Sequence, residues 1–206
     1  MKRKGILFVI SAPSGAGKTS ICSEVVDRMP HLRQSISYTT RPKREGEQGG
    51  VDYHFISREQ FDQMVYDEAF AEWADVHGNS YGTAKATLQK AQDDGADVLL
   101  DIDFQGAAQL RQSGLDGVFL FIMPPSMKEL ERRLINRDTD SDAVIKKRIQ
   151  NASNEIAQAV HFDYVVVNDQ LPRAVETVMA IMRAESARTR RAIETLPDEF
   201  GLKSST

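Results

Sequence analysis

Ile6-Leu7-Phe8-Val9-Ile10 runs straight into Ser11-Ala12-Pro13-Ser14-Gly15-Ala16-Gly17-Lys18-Thr19-Ser20, and the reading of this stretch decides the fold. The uninterrupted apolar residues have the pattern of a strand buried on both faces, as in a parallel sheet. The glycines allow a tight loop, and Lys18 to Met29 reads as a helix. Strand, Gly-rich loop and helix, in that order, are the context of the P-loop pattern G-x-x-x-x-G-K-[ST]. Gly17-Lys18-Thr19 match its end, whereas Ala12 replaces its first glycine. Gly15 and Gly17 let backbone N–H groups turn inward around phosphate oxygens, and the helix N-terminus adds partial positive charge. Lys18 would bring a full charge to β- and γ-phosphates, and the Thr19 hydroxyl an oxygen for Mg²⁺. The alternative, a Gly-rich turn with an exposed lysine, is disfavoured by the flanking strand and helix.

Working outward, apolar runs recur at Val98-Leu99-Leu100, Val118 to Ile122 and Tyr164 to Val167. Helical patterns lie between or after them: Gln105 to Gln112, Ser126 to Arg137 with Ser126 and Glu129 at capping-box spacing, and Pro172 to about Arg190. This alternation predicts a doubly wound α/β core. The strand at Val98 ends in Asp101-Ile102-Asp103. Ligands of open α/β sheets bind outside the carboxyl ends of the strands, so Asp101 is placed to face phosphates and their Mg²⁺. Either aspartate could instead cap the next helix.

Residues 33–90 break the rhythm. Short strands are predicted near Arg33–Ser37, Tyr53–Ile56 and Ala69–Val76, and a helix capped by Ser57 and Gln60 runs to Asp67. This reads as a small α+β subdomain inserted into one domain spanning 1–206. The polar stretch Asn136 to Asp142 lies between two helices and reads as a mobile loop within a lid of 133–155, and 201–206 as a disordered tail.

Composition narrows the class. The chain has 206 residues, 41% apolar and 27% charged, enough for a core, and a net charge of −4, which argues against a nucleic-acid binder. A single cysteine, Cys22, excludes an internal disulfide and fits a reducing cytoplasm. No stretch is long and apolar enough to span a bilayer. His31, His54, His77 and His161 lack metal-ligand spacing. Homo-oligomerisation stays open, with no interface legible.

Taken together, the motifs resemble the guanylate kinases. The resemblance is carried by Pro13-Ser14-Gly15-Ala16-Gly17-Lys18, by Ser37 to Glu47, and by Gly50-Val51-Asp52-Tyr53-His54-Phe55. It continues through Phe70-Ala71-Glu72-Trp73-Ala74, Gly78 to Thr83, Leu100 to Gly106 and Val167-Asn168-Asp169, and so covers about Ile6 to Arg188. It implies a P-loop core with an inserted GMP-binding subdomain and a helical lid. It implies transfer of the γ-phosphoryl group of ATP to GMP, with the Mg²⁺ expected at Thr19 and Asp101 held largely through phosphates and water. ATP would lie on Ala12 to Ser20, with Asn168 near its base. Ser37, Glu72 and Thr83 would contact guanine; Arg41, Arg44, Tyr53 and Tyr81 would hold the GMP phosphate; Asp103 would join the acceptor site. Lys18, Arg133, Arg137 and Arg148 would act in catalysis. Asp138, Ser80 and Gln170 depart from the family's usual residues.

The chemistry of the residues agrees with that assignment. Guanine presents N1–H and N2–H donors beside an O6 acceptor; a carboxylate accepts the first two and a hydroxyl donates to the third. A guanidinium fork matches phosphate oxygens bidentately. Two rivals remain at this point: a kinase for another small phosphorylated acceptor, and a catalytically silent module binding phosphopeptides. Glu72 and Ser37 argue against the first, Lys18 and Thr19 against the second.

Overall fold

The structure is a computed structural model describing residues 4–76, 78–135 and 142–202, with backbone alone at 142–147 and 198. The elements run β1 (Leu7–Ser11), α1 (Lys18–Arg28), β2 (Leu32–Gln34), β3 (Tyr38–Thr39), β4 (His54–Phe55) and α2 (Arg58–Tyr66). They continue with β5 (Phe70–Val76), β6 (Asn79–Ala84), α3 (Lys85–Asp93), β7 (Asp97–Asp101), α4 (Phe104–Gln112) and β8 (Gly117–Met123). The rest are α5 (Met127–Ile135), α6 (Asp142–Ala157), β9 (Tyr164–Val167), α7 (Leu171–Ser186) and α8 (Thr189–Ala192).

The apolar runs form a parallel five-stranded sheet of order β2-β7-β1-β8-β9. Side chains alternate across it as strand geometry requires. Phe8 and Ile10 pack with Ile21 and Val25 of α1 and Val175 and Val178 of α7. Leu7 and Val9 pack on the other face with Leu88 of α3 and Ala107 and Leu110 of α4. Both faces are therefore covered, which is why these strands lack a polar alternation. The chain passes from one side of β1 to the other between β7 and β8, so a topological switch point lies at the carboxyl end of β1.

A second sheet of four strands, ordered β4-β3-β6-β5, is mixed: β3 and β4 are parallel, while β6 is antiparallel to both β3 and β5. Helix α2 closes it, with buried Phe61 stacked 4.6 Å from Phe70. Ser57 and Gln60 form the expected capping box at the start of α2.

Several sequence expectations are corrected. The strand expected at Arg33–Ser37 is Leu32–Gln34 and pairs with β7 in the core sheet. Strands β3 and β6 and helix α3 are not among the expected elements; β6 is hidden because Gly78 and Gly82 read as turn residues. Helix α7 stops at Ser186, and a separate short α8 follows. The Ser126 hydroxyl does accept from the Glu129 N–H at 3.1 Å. The Glu129 carboxylate, however, pairs with Arg132 and Arg133 rather than closing a capping box. Among the described residues no helix is long and apolar enough to cross a membrane. The expectations for His77, Arg137, Asp138, most of the Asn136–Asp142 loop and the tail beyond Leu202 fall outside the described residues.

Candidate active site

The loop between β1 and α1 takes the shape its glycines permit. Gly15 and Gly17 have φ of 90° and 92°, in the left-handed region that L side chains disfavour. A Cβ at Gly17 would also lie 2.4 Å from Nδ2 of Asn168. Asn168 is buried just past β9 and donates from Nδ2 to the Ala16 carbonyl at 2.8 Å. Its own carbonyl accepts from Arg133 at 3.0 Å. The loop is thus braced from below by the end of β9 and by α5.

Lys18 opens α1 and reaches across to the end of β7. Its Nζ donates to the Ile102 carbonyl at 2.6 Å and pairs with Asp101 at 2.7 Å. Burial works to lower the lysine's pKa, but the adjacent Asp101 carboxylate outweighs it and holds the ammonium charged. Asp103 caps α4, its Oδ1 accepting from the Gly106 N–H at 2.9 Å, while the residue also borders the cleft. Helix α6 meets the loop from above, where Glu155 accepts from the Ser14 N–H at 3.2 Å.

Two adjoining cavities lie between the carboxyl edge of the core sheet and the second sheet. The larger, about 560 Å³, is walled by Ala12 to Gly15, Gly17, Lys18 and Thr19, with Asn151, Asn154 and Glu155 of α6. The smaller, about 220 Å³, is walled by Ser37, Glu72, Ala74, Asp101 and Ile102. Lys18, Thr19, Tyr53, Tyr81 and Asp103 border both, so a group bound in one cavity faces a group bound in the other.

Glu72 is 4% exposed at the wall of the smaller cavity, where it accepts from the Thr83 hydroxyl at 2.5 Å. Burial raises its pKa, partly offset by the Thr83 hydroxyl and reinforced by the Asp103 charge, to about 7. Arg41 makes a two-pronged pair with Glu47 at 2.6 and 3.0 Å, and its guanidinium stands 5.4 Å from the Tyr53 ring. Tyr53 and Tyr81 rings meet edge-on at 5.9 Å.

Other expected residues stand apart from the cavity walls. Ser20 is exposed along α1, and Arg44 is exposed, its backbone N–H bound to Glu47 at 2.7 Å. Arg133 is held by Glu129 and the Asn168 carbonyl, and Arg148 is half-buried on α6. Ser80, one of the departures, is buried and donates to Asp75 at 2.5 Å while accepting from Arg58 at 3.0 Å. Glu155, Asn151, Asn154 and Gln109 were missed, since single polar residues on a helix carry no sequence signal until the fold shows what they face. Cys22 is buried in the core, as a small hydrophobe.

A glycine-rich loop at the switch point of a parallel sheet, with a charged lysine beside a strand-end carboxylate, is the arrangement of the P-loop nucleotide-binding proteins. The Guanylate kinase family model matches residues 4–185. The guanylate kinase of Syntrophotalea carbinolica is 61% identical over 191 residues, covering 93% of this chain and 91% of that relative. That of Geobacter metallireducens is 52% identical over 202 residues, covering 98% and 100%. The crystal structure of guanylate kinase from Anaplasma phagocytophilum superposes with a TM-score of 0.79 at 33% identity, covering 98% of this chain and 99% of that one. The chain belongs to the guanylate kinase family.

Proposed function

We propose that the larger cavity takes ATP and the smaller one GMP, and that the residues bordering both carry the γ-phosphoryl group from one to the other, giving ADP and GDP. The observation that carries this reading is Glu72, a buried carboxylate held by Thr83 in a cavity that shares Lys18 with the phosphate loop. Guanine would give its N1–H and N2–H to Glu72, with Ser37 and Thr83 completing the recognition of its edge. The GMP phosphate would compete with Glu47 for Arg41, because a phosphate dianion attracts a guanidinium fork more strongly than a carboxylate does. Tyr53, Tyr81 and Arg44 would complete that grip, with Asp103 beside it.

Phosphoryl transfer asks for positioning and charge neutralisation, with no covalent intermediate on the enzyme. The loop N–H groups and Lys18 hold the ATP phosphates, and Asn168 keeps the loop in shape. The acceptor is already an oxyanion near neutral pH, so no strong general base is needed. Arg133, Arg137 and Arg148 would meet the transferring group as a lid of 133–155 shuts out water, with 33–90 acting as the GMP-binding unit. Thr19, which borders both cavities, and Asp101, which borders the smaller one beside Lys18, would hold Mg²⁺ largely through phosphates and water, as a hard cation that favours oxygen ligands allows. When bound, Mg²⁺ neutralises charge developing on the phosphate oxygens. The buried single cysteine is in keeping with a cytoplasmic site of action.

The test is ADP formation with GMP, AMP, CMP and UMP in parallel. GMP should exceed the others by at least about a hundredfold in kcat/KM, because a buried site built around one hydrogen-bonding pattern rejects analogues lacking it by far more. Comparable rates with AMP would overturn the reading.

A further inference from the structure

We propose that Gln109 is a positioning residue for acceptor recognition: its side-chain amide pins strand β5 to helix α4 and so sets where the Glu72 carboxylate stands. The proposal rests on the reading that Glu72 accepts the guanine donors. Strand β5 is the edge of its sheet, with β6 on its inner side. An edge strand presents unpaired N–H and C=O groups. At Trp73, the residue following Glu72, both are taken by one side chain. The Trp73 N–H donates to Gln109 Oε1 at 3.1 Å, and Gln109 Nε2 donates to the Trp73 carbonyl at 2.6 Å. A primary amide presents acceptor and donor side by side, as the C=O and N–H of one residue in a further antiparallel strand would.

One helical turn earlier, α4 forms the floor beneath the same carboxylate. A Cβ at Gly106 would lie 2.3 Å from Oε2 of Glu72, so the helix backbone and Glu72 touch with no room for a side chain. One turn earlier again, Asp103 caps α4 through the Gly106 N–H. Residues spaced by three lie near one another on a helix surface. Asp103, Gly106 and Gln109 thus register one face of α4 against β5. Helix α4 packs on the core sheet through Ala107 and Leu110, so the amide ties Glu72 to the same rigid body that carries Asp101. Without it, β5 would keep only its β6 ladder and its packing, and the carboxylate could shift by a fraction of an ångström. Recognition by paired hydrogen bonds tolerates little of that.

The experiment compares Gln109→Met, which keeps length and helix propensity but removes the amide, with Glu72→Gln. GMP and a non-hydrolysable ATP analogue are titrated by calorimetry, and kcat and KM for GMP are measured. Gln109→Met should weaken GMP about tenfold, in line with the loss of two hydrogen bonds of modest net value. The ATP analogue should stay within about twofold and kcat at saturating GMP within about threefold, because the phosphate loop is untouched. Equal losses for both nucleotides, or unchanged GMP binding beside a weakened Glu72→Gln, would overturn the proposal. If Glu72→Gln also binds GMP normally, it is the Glu72 reading that falls. Gln109→Glu, which keeps the acceptor for Trp73 N–H but loses the donor, should show the same GMP-selective loss should the methionine variant fold poorly.

Discussion

If Glu72 accepts the guanine donors as proposed, it places a titrating group at the centre of acceptor recognition. Burial lifts its pKa from 4.5 to about 7, so the folded chain binds more protons than the unfolded chain across that interval. Its contribution to stability is fully present below the unfolded value and is lost as pH rises through the folded one. Recognition runs the other way, because only the ionised carboxylate accepts both guanine donors. The kcat/KM for GMP should rise with pH to a plateau above about 7. Glu72→Gln should lower the plateau by at least about tenfold and remove the Glu72 component of the profile, since hydrogen bonds to a charged group are worth about 1.5–3 kcal/mol. A pH–rate series on both proteins checks this; an identical profile in the variant would exclude Glu72 as the titrating group. Ionisation of the GMP phosphate is common to both proteins and cancels in the comparison.

Among the elements, the phosphate loop depends on one that lies far from it in sequence. Asn168, at the end of β9, supports the Ala16 carbonyl and fills the space beside Gly17. Gly17→Ala would meet Asn168 Nδ2 and also put a side chain at a φ of 92°. The strain alone is about 1–2 kcal/mol. The variant should fold with a lowered Tm and lose at least about tenfold in ATP affinity, since the N–H groups must converge on the phosphates to bind them. GMP affinity should change little. Calorimetric titration with each nucleotide separately measures the difference, and an ATP affinity near wild type would remove the loop's geometry from the account.

For the molecule as a whole, α6 borders the cleft through its C-terminal half. Glu155 touches the Ser14 N–H and Asn151 lines the larger cavity. Arg148 is three residues before Asn151 and seven before Glu155, which puts all three near one helix face. Arg148 therefore shares the face of α6 that carries these residues, two turns from the contact with the loop. Arg148→Met should cut kcat by about a hundredfold, a modest share of what an arginine at a phosphoryl-transfer site can contribute. GMP binding should be nearly unchanged if, as proposed, Arg148 meets the transferring group and not the acceptor. Single-turnover transfer at saturating ATP and GMP, beside GMP calorimetry, separates the two. A loss found wholly in GMP binding would place Arg148 with the acceptor instead.

The local pattern by itself determined the core and the phosphate loop. An apolar run, two glycines at the turn and Gly17-Lys18-Thr19 specify strand, loop and helix through interactions among near neighbours. The Ser57–Gln60 box fixed the start of α2 for the same reason. The likeness of motifs then pointed to Glu72, Ser37 and Arg41, which periodicity alone would have left as surface residues. Only the tertiary structure decided the rest. It assigned Leu32–Gln34 to the core sheet, because that strand is defined by its partner β7 and not by its own composition. It found β6, whose Gly82 reads as a turn but leaves room for the Phe70 ring, 2.9 Å from where a Cβ would stand. It also showed what Asn168, Gly106, Gln109 and Glu155 touch. Each acts on a group distant in the chain, by a hydrogen bond or by the absence of a side chain, and such contacts exist only once packing has brought the two segments together.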